Sequence, residues 1–432
     1  MNKKKLYAGA LATTVLSVIV SGCGANSNNA EQSPETGIEK VTLEYYTWTD
    51  EADYMQKVVD AFNAQNSGIQ VHMNTISNDA DEYNTKMMLN LSGNSAVDVF
   101  SMSGSAGLGL YSSKKQLLDI GDRIKSANLD IGAYGPMLQD VTNTLTGGEY
   151  YALPYRTSSY ALFYNKAVFD KEGIEYPEQM TWEQYAELAK RLTKGEGTSK
   201  QWGGFLADWI IYPIEALQKG TTILDDDLDN VKEWLDFTNV IFNQDQSHMS
   251  YKQMKAESVD WLKQFESGNV AMMVNGEWTV NMLQADVAAG KADIDFDMTI
   301  LPQPEGAADP TSVGGLSTFM GISANSEHQD AAFKFVQFAT GEQGGAILAN
   351  ASVLPAYSND STKDAFLKAT GLQGSGAFFE AKTIIGDQPV PQIDQVNTAY
   401  KEQLDLFSFG EVDAGRAIAN FIERRDKIVA SE

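Results

Sequence analysis

The sequence predicts an α/β protein with a parallel sheet at its start. Three observations carry this: short alternating apolar runs separated by helical patterns from residue 40 onward, an ordinary globular composition, and a length that allows more than one core. Of 432 residues, 43% are hydrophobic and 21% charged, which excludes a disordered tail or a collagen-like fibre. At roughly 100–200 residues per domain, the chain has room for two or three.

Val41, Leu43 and Tyr45 alternate as a strand, and Met55, Val58, Val59 and Phe62 share one face of a helix. Ile69, Val71 and Met73 alternate again, a helix follows over about 81–91, and Val97-Asp98-Val99-Phe100 reads as a third strand. Strand–helix–strand–helix–strand implies a parallel sheet with right-handed crossovers, whose ligands bind outside the C-terminal strand ends. Those ends are Tyr46 to Asp50, Thr75 to Asp79 and Ser101 to Gly104, each mainly polar or aromatic.

Further along, Gly148 to Arg156 reads as a turn and strand, and Tyr160 to Lys166 as another strand. Thr181-Trp182-Glu183-Gln184 is a capping-box start, with Tyr185, Leu188, Ala189 and Leu192 on the buried helix face. The region 207–287 reads as mostly helical. Asp293, Asp295 and Asp297 alternate with apolar residues toward Leu301-Pro302, and helical patterns return over Ala331 to Ala339 and at Ala414, Ala417, Ile418 and Phe421.

Charge narrows the function. With 32 basic and 58 acidic residues the net charge is −26, which repels phosphate backbones, so no nucleic-acid partner is expected. One cysteine and three histidines scattered in sequence (His72, His248 and His328) argue against a thiolate or histidine metal centre. The run Asp225-Asp226-Asp227 lacks the glycine and distal glutamate of a calcium loop and suits a helix N-terminus instead. No metal and no cofactor are expected.

The first residues point to export. Lys3, Lys4 and Lys5 precede an uncharged apolar stretch from Leu6 to Val20, shorter than the ~20 residues of a membrane-spanning helix. It ends in Val20-Ser21-Gly22-Cys23, which resembles the lipobox of bacterial lipoproteins. The resemblance implies a signal peptide over 1–22, cleavage before Cys23, lipidation of that thiol, and a cell-membrane location on the extracytoplasmic face. Residues 23–39 are polar and read as a flexible tether.

Tyr151-Ala152-Leu153-Pro154, Phe163-Tyr164-Asn165-Lys166, Tyr176-Pro177 and Thr181-Trp182-Glu183 follow one another in order. Phe265 to Trp278 then fits F-x-x-G-x-x-A-M-x-x-x-G-x-W, and Leu301-Pro302, Gly314-Gly315 and Phe333-Lys334-Phe335 continue the series. Together they resemble the family 1 extracellular solute-binding proteins of bacterial ABC importers. The resemblance implies a two-lobe periplasmic-binding-protein-like (Venus flytrap) fold with discontinuous lobes, each a sheet flanked by helices. Lobe 1 is expected over 40–154 and 300–342, and lobe 2 over 155–299 and 343–432. Crossings are expected near Leu153 to Arg156, Asp295 to Leu301 and Ala339 to Gly345. It also implies a monomer that binds a sugar or oligosaccharide without catalysis and hands it to the transmembrane subunits of a permease.

A neutral sugar offers apolar C–H faces and a ring of hydroxyls, so its site needs aromatic platforms and polar arms. Pairs of that kind are Trp48 with Asp50, Tyr155 with Arg156, Asp208 with Trp209, and Glu277 with Trp278. Ser103 at a strand end and the backbone of Gly314 and Gly315 complete the candidate set. Tyr164, Asn165, Trp182, Trp234 and Trp261 are assigned to packing. Two other readings remain at this point: an extracellular glycoside hydrolase, which needs two carboxylates across a glycosidic bond, and a lipoprotein that binds another small solute.

Overall fold

The computed structural model describes residues 40–430 except Asn94, Asp208, Trp209, Ile211, Tyr212, Asp387 and Pro391. Cys23 and the leader, like Asp208 and Trp209, therefore lie outside the described residues. The strands are β1 (Val41–Trp48), β2 (Ile69–Ile76), β3 (Val99–Ser103), β4 (Ala152–Asn165), β5 (Trp202–Leu206), β6 (Val270–Gly276), β7 (Phe296–Ile300), β8 (Thr311–Ile322) and β9 (Lys382–Ile385). They are ordered β2-β1-β3-β8-β4-β6-β5, with β7 also on β4 and β9 on β8.

The opening αβ pattern folds as read. β1 pairs in parallel with β2 from Val41 against Ile69, and with β3 through Tyr45 against Val99. The helix Ala52–Gln65 buries Met55, Val58, Val59 and Phe62. The capping box forms at Thr181 and Gln184, and the helix Ala414–Val429 buries Ala414, Ala417, Ile418 and Phe421.

The region 207–287 is mostly helical, as read, but two strand readings are corrected. One strand, β6, lies inside it unread, with all seven residues buried. Since every residue of β6 is buried, both its faces are covered and its apolar run carries no alternation to mark it as a strand. The two strands read at 148–156 and 160–166 are one, β4.

The strand β4 organises the whole molecule. Its first part pairs antiparallel with β8, from Ala152 against Gly321 to Ser159 against Gly314. From Tyr160 onward it pairs instead with β6 and β7. The hydrophobic cores divide at the same place. One draws on Leu43 to Tyr155 and Leu316 to Leu348, with Val353 and Ala356; a second draws on Tyr160 to Leu301, together with Val313, Ala349, Leu354, Phe366 and Phe378. β4 and β8 thus pass between the cores at Arg156 to Ser159 and Gly314 to Gly315. The second passage falls later than Asp295 to Leu301, since Phe296, Met298 and Leu301 pack in the second core. A third cluster joins Val231 and Leu235 to Tyr400, Ala417 and Phe421.

The passage is tight. A Cβ on Gly314 would lie 2.1 Å from the Ser158 carbonyl oxygen, and Gly315 adopts φ +139°, so the strands approach as closely as only glycine allows. Beside it the β4–β8 register shifts on both sides of Arg156. An irregularity of this kind re-aims a side chain that a regular strand would send elsewhere.

Candidate functional site

A cavity of about 600 Å³ opens between the residues of the two cores, within the ~300–1,000 Å³ typical of small-molecule sites. From the first-core side it is lined by Asp50, Tyr54, Asn78 and Ser103. Three of these follow the C-terminal ends of β1, β2 and β3, as expected of a parallel sheet. The Asp50 backbone N–H donates to Asn78 Oδ1 at 2.8 Å, tying two of the loops together. From the other side come Trp261, Glu277, Trp278, Asn281 and Met282. A smaller cavity of about 210 Å³ adjoins it and shares Ser103, Arg156 and Trp278.

Trp278 is held by its neighbours. It opens the helix Trp278–Ala288, its ring meets Tyr160 edge-on at 5.5 Å, and a Cβ on Gly276 would fall 2.1 Å from the indole. The glycine is therefore what lets the ring lie back over β6. Gly276→Ala is expected to displace the indole and weaken ligand binding several-fold, measured by calorimetric titration; unchanged affinity would show that the ring's placement is immaterial.

Arg156 sits where the cores meet, and lines both cavities. Its Nη1 donates to Glu51 Oε1 and to the Tyr54 hydroxyl, each at 2.9 Å, and its Nε donates to Ser317 Oγ at 3.2 Å. Glu277 Oε1 lies 3.5 Å from Nε. Glu51 belongs to the first core's loop and Glu277 follows β6, so one guanidinium is gripped from both sides. Burial opposes its charge, but Tyr54, Glu51 and Glu277 outweigh that and hold its pKa well above the usual value.

The two carboxyls differ. Glu51 Oε2 accepts hydrogen bonds from Thr47 Oγ1 at 3.0 Å and from the Tyr155 hydroxyl. Glu277 accepts a long bond from the Ser159 N–H at 3.4 Å, and among the described residues its buried Oε1 has no hydrogen-bond partner. Burial pushes Glu277 up to about 7, with Arg156 opposing the rise. Asp50 is also raised, by burial and then by Glu51.

Of the candidates, the structure brings together Asp50, Ser103, Arg156, Glu277 and Trp278 around the larger cavity, with Gly314 and Gly315 lining the smaller one. Trp48 does not join them. It is buried in the first core and stacks at 4.3 Å on Tyr83 of the helix Ala80–Ser92, which covers that end of β1. Tyr155 is likewise buried, supporting Glu51 rather than facing the cavity. Sequence reasoning missed Glu51, Tyr54, Asn281 and Met282, and assigned Trp261 to packing. Asn78 falls within the Thr75 to Asp79 strand end that the sequence marks as a ligand-facing loop.

Among the described residues no group of three or more His, Cys, Asp or Glu side chains is placed to hold a metal ion, and no helix is long and apolar enough to cross a membrane.

The bacterial extracellular solute-binding protein family model matches residues 48–346. The arabinooligosaccharide-binding protein of Halalkalibacterium halodurans is 24% identical over 204 residues, 44% of each chain. The match therefore spans less than half the length of that relative. The multiple sugar-binding protein of Streptococcus mutans is 23% identical over 350 residues, 75% of this chain and 76% of the relative. Among solved structures, an ABC substrate-binding protein from Listeria monocytogenes in complex with cycloalternan superposes with TM-score 0.78 at 23% identity, covering 91% of this chain and all of that one.

Proposed function

The chain belongs to the bacterial extracellular solute-binding protein family, and from that premise we propose that it captures a neutral sugar or oligosaccharide and delivers it to the transmembrane subunits of an ABC importer. Its fold is the two-lobe α/β fold of periplasmic sugar-binding proteins. The family and the structural neighbours are binding proteins.

One observation carries the reading: two tryptophans, Trp261 and Trp278, face a cavity whose other walls hold Arg156, Asp50, Asn78 and Asn281. Indole faces match the C–H faces of a pyranose, and amide, carboxylate and guanidinium groups match its hydroxyls. An ionised phosphate or carboxylate ligand fits poorly, because Arg156 already serves two carboxylates.

The lobes close over the ligand and exclude water, hinging where β4 and β8 pass between the cores. A monomer anchored through a lipid on Cys23, at the extracytoplasmic face of the cell membrane, would hold the open cleft near its permease. That anchoring rests on the lipobox-like sequence before Cys23.

A thermal-shift screen of mono- and oligosaccharides tests the function. A sugar at 100 times its dissociation constant should stabilise the folded protein by about 2.7 kcal/mol. Stabilisation by charged amino acids or peptides with none by any sugar would overturn the reading.

A further inference from the structure

We propose that Glu51, which does not line the cleft, is its positioning residue: it fixes Arg156 so that Nη2 faces the ligand, while Glu277 acts on the same guanidinium from the second core through its charge. The inference rests on the sugar-binding reading and adds to it how the site is held and how pH regulates it.

The guanidinium has five N–H groups. Nε is committed to Ser317, and Nη1 to Glu51 and Tyr54. No hydrogen bond among the described residues uses Nη2, although Arg156 lines both cavities and its side chain is 17% exposed. Two N–H donors are thus left for an acceptor in the cleft, such as a pyranose oxygen. The orientation is imposed from behind. Thr47 on β1 and Tyr155 on β4, both fully buried, donate to Glu51 Oε2 and leave Oε1 for Arg156. A carboxylate fixed by two hydroxyls stops the guanidinium from swinging to satisfy itself, an arrangement in which an outer group orients the one that touches the ligand.

Glu277 is different in kind. At 3.5 Å from Nε, with Oε1 unpartnered, it makes no directed bond to Arg156. Its proton changes the field on the guanidinium without moving it. The charged and titratable groups around the cluster are Asp50 and Glu51 from the loop after β1, Tyr45 from β1, Tyr54 from the next helix, and Tyr155 and Arg156 from β4. β8 contributes the uncharged Ser317.

The sign of the pH effect follows. Because Glu277 in the fold titrates at about 7, above the ~4.3 of an unfolded glutamate, the folded protein keeps a proton that the unfolded chain releases. Its contribution to stability is complete below the unfolded value and is lost as pH rises to about 7. A protonated Glu277 leaves the charge of the guanidinium 3.5 Å away less compensated, so its free N–H groups donate more strongly to a ligand oxygen and affinity falls as pH rises through that range. Ionised Glu51 helps raise Glu277, so Glu51→Gln should move the Glu277 titration toward acid.

The test uses the unaltered protein, Glu51→Gln and Glu277→Gln, titrated calorimetrically with raffinose and with maltotriose from about pH 5 to about pH 9, alongside melting curves without sugar. Glu51→Gln should remain folded, bind at least tenfold more weakly, and show its pH midpoint shifted to lower pH; Glu277→Gln should lose the midpoint. Unchanged affinity in folded Glu51→Gln, or weakened affinity with an unmoved midpoint, would overturn the proposal. Should Glu51→Gln fail to fold, the proposal falls if Glu277→Gln retains the pH dependence of the unaltered protein and stands if it loses it. If neither sugar binds the unaltered protein, the choice of probe or the sugar reading fails. The sugar-free melting profiles then decide alone: a Glu277-dependent slope that shifts in Glu51→Gln supports the linkage, and one that stays in place overturns it.

Discussion

Arg156→Met is expected to abolish ligand binding and to destabilise the fold by about 3–5 kcal/mol, the range for breaking a buried ion pair by removing one partner. Methionine replaces the aliphatic stem but leaves Glu51 and Glu277, whose side chains are 5% and 1% exposed, without their shared cation. It also removes the donor that the Tyr54 hydroxyl and Ser317 Oγ accept from. The loss should be smaller in mild acid, where Glu277 holds its proton, and larger above about 7. Denaturant unfolding at two pH values measures this directly. Equal midpoints for the variant and the unaltered protein would mean that the cluster contributes nothing to stability.

Trp278→Ala is expected to keep the fold and lower affinity at least tenfold, or about 1.4 kcal/mol. The fold should tolerate the change because the indole is only half-buried and packs over a helix start, against Tyr160 and Gly276, outside the fully enclosed core. The affinity should not, because a sugar face stacked on an aromatic ring buries apolar area on both sides. Calorimetry on a variant with an unaltered circular dichroism spectrum makes the measurement, and equal affinity would remove Trp278 from the site.

What could be read from the chain follows from which patterns depend on local order. β1, β2 and the helices Ala52–Gln65 and Ala414–Val429 each bury one face against one core, so their apolar periodicity survives in the sequence. β6 lost that signal by being buried on both faces. The site was legible where it depends on strand ends, as for Asp50 and Ser103, and on the family-like segment that ends at Trp278.

It was illegible where one residue decides between core and cleft. Trp48 and Trp261 carry the same side chain, yet the first stacks on Tyr83 and the second lines the cavity. Glu51 follows Asp50 directly, but only the tertiary fold that brings β4 beside the segment after β1 turns it toward Arg156, and the spacing of 105 residues between them left no local trace. Tyr155 drew notice as Arg156's neighbour; its hydroxyl instead supports Glu51 from inside the first core.

A crystal structure with an oligosaccharide that passes the thermal-shift screen tests the central claim most directly. The expected result is a pyranose face on the Trp278 indole and a sugar oxygen about 3 Å from Arg156 Nη2. A sugar bound outside the cleft, touching neither residue, would contradict it.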